Sequence, residues 1–219
     1  EIRNPLGSIE LFASLLARDL EADPDKAPLV EHIRSGVKTM DRIISSLLLF
    51  AKSPKPSRQK CDINRLLREL LEGSSGIAVP DNVKVTQHFG GGDLQVNGDR
   101  ELLRQVLLNL LRNAIQAMPE GGELGLRTEK GTVSPTQENH REFITITVSD
   151  TGSGIPSDHL SNIFNPFFST KDKGTGLGLS IAYNIIKAHQ GTIDAESEES
   201  RGTRFTVNLP RWDDELDET

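Results

Sequence analysis

Two glycine runs, one behind a strand-end carboxylate and one ahead of an apolar helix, constrain this chain more than any other feature. They bound residues 150–178, DTGSGIPSDHLSNIFNPFFSTKDKGTGLG. Asp150 closes an alternating apolar stretch and is followed at once by Gly152 and Gly154. A short aromatic cluster (Phe164, Phe167, Phe168) comes next, then a polar loop. Gly174, Gly176 and Gly178 open the following helix, with Thr175 and Leu177 between them. The pattern reads as a nucleotide pocket with a mobile lid.

The chemistry of these residue types supports that reading. An ionised Asp only accepts hydrogen bonds. At a buried strand end it suits the exocyclic amino group of adenine and meets the carbonyl of guanine acceptor to acceptor. One mispaired buried group costs about 1–3 kcal/mol, so ATP is expected over GTP. Gly152 and Gly154 let the backbone approach a flat base and adopt positive φ. The second run places free N–H groups and a helix N-terminus where phosphates bind. A single glycine run would be read as an ordinary turn; the pair, so placed, is not.

The chain has 219 residues, enough for one large domain or two small ones. Its single cysteine, Cys61, excludes an internal disulfide and fits a reducing, cytoplasmic compartment. No apolar run reaches the roughly 20 residues of a membrane span, so no membrane contact is expected from this fragment. An anchor upstream of Glu1 stays open. The formal charge is −7, of which −4 belongs to residues 211–219, with one Arg and five acids. The remaining body is near neutral, which argues against nucleic acid as a partner. Residues 212–219 read as a solvated acidic tail.

At the start, apolar residues recur as Ile2, Leu6, Ile9, Ala13, Leu16 and Leu20, and again as Ile33, Val37, Met40, Ile44, Leu47 and Ala51. Alternating steps of four and three are heptad spacing on two helices, joined by a turn at 22–28. Leu11, Phe12, Leu15, Val30, Ile43 and Leu48 widen the apolar face beyond what two helices bury. A homodimer through residues 1–53, forming a four-helix bundle, is therefore expected. A hairpin packed on the rest of the same chain is the alternative. Residues 54–61 read as a linker and 62–211 as the second domain, with 212–219 beyond it.

Within that domain the pattern predicts a helix over 62–72 with Asp62 as N-cap, and strands over 83–89 and 94–96. A helix over 100–118 follows, capped by Asp99. Strands at 123–128 and 142–149 flank an exposed loop at 129–141. A helix over 177–188 has Gly191 as C-cap candidate, and strands at 192–195 and 203–209 end the series. Irregular alternation of helices and mixed strands predicts an α/β sandwich, a largely antiparallel sheet covered by helices on one face. Asn109 and Asn113 interrupt the apolar helix four residues apart, on one face. Amide oxygens are neutral, hard ligands, so the pair is a candidate for Mg²⁺ beside nucleotide phosphates.

These segments together resemble a bacterial sensor histidine kinase over nearly the whole chain. EIRNPLGSI looks like the phosphoacceptor box of the dimerisation domain. NLLRNAIQAM resembles the N box, DTGSGIP the first glycine box, NPFFSTK the F box and lid, KGTGLGLS the second glycine box, and RGTRFTVNLP the terminal Gly-Thr element. The wording EIRNPL with FFSTK looks like the nitrogen-regulation type. The resemblance implies a Bergerat-type ATP-binding domain of the gyrase, Hsp90, kinase and MutL superfamily. It also implies ATP and Mg²⁺ as cofactors and a response regulator receiver domain as partner.

Site roles follow from the resemblance alone. Asn113 becomes the main Mg²⁺ ligand, with Asn109 beside it. Asp150 reads adenine, helped by Thr203 through water. Gly152 and Gly154 shape the base pocket. Gly174, Thr175, Gly176, Leu177 and Gly178 meet phosphate as the lid closes. In the family a histidine precedes the position of Glu1, so the chain is read as starting one residue after its acceptor. Glu1 becomes the general base for that histidine, and Asn4 positions a water for dephosphorylating the regulator. Gln116 stands where many members carry a phosphate-facing lysine; either Lys171 in the lid supplies that charge or the site does without it. The implied activity is ATP-dependent protein-histidine kinase. A clamp-like ATPase of the same superfamily and a non-catalytic dimeric nucleotide-sensing module stay open.

Overall fold

The computed structural model describes residues 3–20, 23, 25–51, 55–72, 76–92, 94–131, 142–170 and 175–213. The side chains of 3, 4, 38, 42, 43 and 45–51 lie outside that description. The chain divides into two units, Glu1–Lys52 and Ser53–Thr219.

The heptad spacing of the first unit forms two helices, α1 (Arg3–Asp19) and α2 (Ala27–Ala51). Between them Asp23 Oδ1 accepts the N–H groups of Asp25 and Lys26, each at 3.1 Å, which caps the start of α2. The Lys26 side chain, hydrogen-bonded to it, holds the Asp23 carboxyl below its ordinary pKa. The apolar stripe splits into two rows. Leu6 and Ala13 on α1, and Val30 and Val37 on α2, are buried. The alternate row stays exposed: Ile9 at 45 %, Leu16 at 47 %, Ile33 at 49 % and Met40 at 51 %.

The second unit opens on β1 (Gln59–Asp62) and α3 (Ile63–Glu72). It continues through β2 (Val83–Phe89), β3 (Gln95–Gly98), α4 (Arg100–Gln116), β4 (Gly122–Gly131) and β5 (Phe143–Asp150). The series closes with α5 (Ser157–Leu160), α6 (Gly178–Ala188), β6 (Thr192–Glu198) and β7 (Gly202–Pro210). The main sheet has the order β2-β4-β5-β7-β6, with β2 parallel to β4 and the other pairs antiparallel. β1 and β3 form a separate antiparallel ribbon.

Strict alternation makes the core two layers thick. Every second residue of β5 is buried (Ile144, Ile146, Val148, Asp150), as are Leu124 and Leu126 of β4 and Phe205, Val207 and Leu209 of β7. Against them lie Ile63, Leu66, Leu67 and Leu70 of α3, Leu103 to Leu111 of α4, and Ile181, Ile185 and Ile186 of α6. Burying one such side chain stabilises the fold by about 1.5–3 kcal/mol. This is the expected mixed-sheet sandwich.

Several boundaries differ from expectation, each for a physical reason. Gln59–Cys61, read as the end of a linker, pair with β3, because β3 supplies the strand partner that their own polar sequence does not advertise. The α4 helix ends at Gln116 rather than 118: Met118 precedes Pro119, which disfavours helical geometry there, and its N–H turns back to Ile115. At the end of α6 the left-handed residue is Gln190 (φ 60°), not Gly191. Gly191 closes the motif with its N–H on Ile186 O, 2.9 Å, and must be glycine because Asn208 O occupies the place of its side chain. Trp212, assigned to the tail, still belongs to the domain, since its N–H donates to Gln95 O at 2.8 Å.

Candidate nucleotide site

The site grows from the C-terminal end of β5. Asp150 is only 8 % exposed and faces the helix-covered side of the sheet. Its Oδ1 accepts the N–H of Gly152 at 2.9 Å and of Thr203 at 3.3 Å. Thr203, 6 % exposed, is its direct cross-strand neighbour on β7. The carboxylate is thus fixed by backbone groups of two elements, with acceptor character only.

The first glycine run is clamped between two elements. Ser153 N–H donates to Ala117 O at the end of α4, 3.0 Å, and Ser153 O accepts Ser200 N–H at 2.7 Å. A side chain on Gly152 would strike Ala117, and one on Gly154 would strike Glu198 O. Gly154 also needs its φ of +68°, which glycine alone adopts without cost.

Gly178, at the end of the second glycine run, meets the same helix. Asn109 of α4 is half-buried, and its Oδ1 lies where a Gly178 side chain would stand. Its Nδ2 is buried and finds no hydrogen-bond partner among the described residues. An amide nitrogen so placed is a candidate donor to a ligand or an ordered water. Asn113, one turn on, is half-buried as well. The N-terminus of α6 carries no side-chain cap; Leu177 is buried beneath it and the exposed Thr175 accepts Leu177 N–H at 3.4 Å. Gly176 (φ +66°) packs against the backbone of Phe167.

The aromatic residues do not form one cluster. Phe164 meets Tyr183 at a tilt of 41° (5.6 Å between centroids), Phe168 meets His159 edge-on (5.5 Å), and Phe167 is 65 % exposed. Gln116 is exposed on the last turn of α4. Glu1, Lys171 and Gly174 lie outside the described residues, as does the side chain of Asn4.

Two residues of consequence escaped the sequence reading. Ser197 bonds Thr203 Oγ1 at 2.9 Å and Ile155 N–H at 2.8 Å. Its signal was a polar residue in the inward-facing series Ile193, Ala195, Ser197. His189 is buried at the end of α6: Nδ1 donates to Ile185 O at 2.7 Å, which leaves Nε2 to accept Asp99 N–H at 2.9 Å. Burial pushes its pKa down. Asp99 meanwhile caps α4 through Glu101 and Leu102 N–H and accepts Ser57 N–H through Oδ2, 3.0 Å. No sequence signal marks that tie.

A mixed-sheet sandwich with a buried strand-end acid, two glycine runs and an asparagine helix between them defines a nucleotide-binding ATPase-type domain. The comparisons agree. Residues 98–213 match the family described as histidine kinase-, DNA gyrase B-, and HSP90-like ATPase, and residues 1–56 match the His kinase A (phospho-acceptor) domain. Sporulation kinase C of Bacillus subtilis is 36 % identical over 96 % of this chain and 46 % of its own length. The sensor histidine kinase ZraS of Escherichia coli is 35 % identical, over 96 % and 43 %. Among solved structures, full-length ShkA in complex with AMPPNP superposes with TM-score 0.76 at 26 % identity, over 96 % of this chain and 44 % of that one. The catalytic domain of histidine kinase ThkA gives TM-score 0.58 at 33 % identity, over 71 % and 96 %. The chain belongs to the sensor histidine kinase family, with a phospho-acceptor domain followed by the ATPase domain. It spans less than half the length of these two curated relatives.

Proposed function

We propose that this chain is the ATP-dependent protein-histidine kinase core of a two-component system. The observation that carries this reading is the buried, acceptor-only Asp150 at the strand end that leads into the first glycine run, in a chain whose first 56 residues match a phospho-acceptor domain. The same match favours a kinase over a clamp-like ATPase.

Asp150 reads the adenine amino group, with Thr203 beside it. The uncapped start of α6 and the second glycine run, Gly174 included, receive the phosphates, with Lys171 adding positive charge. The orphaned Asn109 Nδ2, a donor, suits a phosphate oxygen, while the amide oxygens of this helix face suit a Mg²⁺ ion, for which Asn113 would be the direct ligand. Bound there, the metal neutralises phosphate charge. The residues of this chain contribute mostly by positioning: they bind and orient ATP so that its γ-phosphoryl group is presented for transfer to the phospho-acceptor histidine that precedes Glu1. Glu1 orients that imidazole and accepts its proton. The phosphoryl group then passes to an Asp of a response regulator, and Asn4 positions a water that hydrolyses the regulator's aspartyl phosphate, releasing inorganic phosphate. The exposed row Ile9, Leu16, Ile33 and Met40 supports a homodimer through residues 1–53. The free cysteine Cys61 fits a reducing, cytoplasmic setting. None of the described helices is long and apolar enough to cross a membrane.

The test places a histidine before Glu1 and adds Mg²⁺ with γ-labelled ATP. An acid-labile, alkali-stable label is expected. ADP release without label would instead indicate a clamp ATPase, and nucleotide bound with neither product a sensing module.

A further inference from the structure

Asp150, Thr203 and Ser197 occupy one row across three adjacent strands. Asp150 of β5 is in register with Thr203 of β7, and Thr203 with Ser197 of β6. Side chains in register lie on one face of a sheet. This polar row ends the core, one step beyond the apolar row Leu126, Val148, Phe205 and Ala195.

A proton count fixes the direction of each bond in the row. A hydroxyl has one proton to give and two lone pairs to accept with. Ser197 Oγ makes three contacts: Gly202 O at 2.8 Å, Ile155 N at 2.8 Å and Thr203 Oγ1 at 2.9 Å. The Gly202 carbonyl has no proton, so it takes the one on Ser197. Ile155 N–H donates to one Ser197 lone pair. The bond to Thr203 is then made with the Thr203 proton, on the second lone pair. Ser197 is fully used, and Thr203 has given its proton away from Asp150.

From this we infer that Ser197 is a positioning residue for base specificity, although it does not touch the base. It holds Thr203 Oγ1 as an acceptor beside the acceptor Asp150. Two neighbouring acceptors suit a group that only donates, the 6-amino group of adenine, directly or through a water that donates to both. They oppose the 6-oxo group of guanine, which has no proton to offer. Ser197 also ties Ile155, at the end of the first glycine run, to the β6–β7 turn. The base wall and the hydroxyl polarity therefore depend on the same atom. This inference rests on the nucleotide reading proposed above.

The two roles of Ser197 separate experimentally. A merely structural role weakens all nucleotides equally. Loss of hydroxyl polarity changes the ratio between bases, because a freed Thr203 hydroxyl can turn and donate to a 6-oxo group. The test measures binding of ADP by calorimetry, and of GDP by competition against it, for this chain and for Ser197→Ala. Expected are ADP binding weakened about five- to ten-fold, the effect of one hydrogen bond, and a GDP-to-ADP dissociation-constant ratio lowered by at least about five-fold. Ser197→Thr, which keeps a hydroxyl, restores the ratio. Should Ser197→Ala fail to fold, Ser197→Cys keeps the volume with a weak donor and acceptor, and the same fall in ratio is expected. Wild-type ADP binding with an unmoved ratio in the variants overturns this inference alone. No ADP binding by the wild-type chain overturns the nucleotide reading and this inference with it.

Discussion

Asn109 Oδ1 lies in the space that a side chain on Gly178 would occupy. The contact joins the asparagine helix to the first residue of α6, so the candidate metal amides and the candidate phosphate site are packed as one piece.

Gly178→Ala is the direct probe of that packing. Gly178 is the first residue of α6, where alanine gains little of its helix-interior preference, so the melting temperature should change little or fall as Asn109 is pushed aside. The new methyl group must displace Asn109, so ADP affinity should fall at least about ten-fold, judging by the sensitivity of positioned ligands. Unchanged affinity in calorimetry would sever Asn109 from the phosphate site.

Asp150→Asn separates fold from recognition. The two N–H groups from Gly152 and Thr203 still find an oxygen, which turns the amide nitrogen to the other position. A donor then replaces an acceptor. ADP binding should drop about ten- to a hundred-fold, the cost of one mispaired buried group, while the circular dichroism spectrum persists. Retained affinity would sink the pocket assignment.

His189 gives the domain a pH dependence of defined sign. Burial lowers its folded pKa, so below about pH 6.5 the unfolded chain binds more protons than the folded one. Its contribution is full above that value and is lost as pH falls from there through the folded pKa. Protonation puts a proton on Nε2, which then cannot accept Asp99 N–H. Urea midpoints followed from pH 8 to about pH 5 should fall less steeply for His189→Gln. Equal slopes would show that other groups dominate.

Ile33→Lys tests the dimer. Ile33 belongs to the row of α2 that the hairpin leaves exposed. An unpaired charge buried at an interface costs about 3–5 kcal/mol, enough to weaken association at least about a hundred-fold. Sedimentation should show monomers whose ADP affinity matches wild type. A persisting dimer would place the interface elsewhere.

Period-two and heptad patterns carried most of the architecture into the sequence. Val83–Phe89 reads as a strand and is one, Asp62 and Asp99 read as caps and act as caps, and Asn109 and Asn113 declare themselves by breaking an apolar helix. What stayed hidden depends on partners distant in the chain. QKCD becomes β1 because β3 lies beside it. Gln190 takes the left-handed position because Gly191 is needed for close approach to Asn208. Ser197 gains its meaning from Thr203, Gly202 and Ile155, none of which local periodicity relates to it.

The helix α4 also acts as a length standard. Ala117 receives the first glycine run and Asn109 seats the second, and the two are eight residues apart. At 1.5 Å per residue that is a gauge of about 12 Å along α4 between its contacts with the two glycine runs. One residue added or removed between them would change the gauge by about 1.5 Å and swing Asn109 about 100° around the axis, away from Gly178. Between these two points the number of residues in α4 matters as well as the side chains it carries, Asn113 among them.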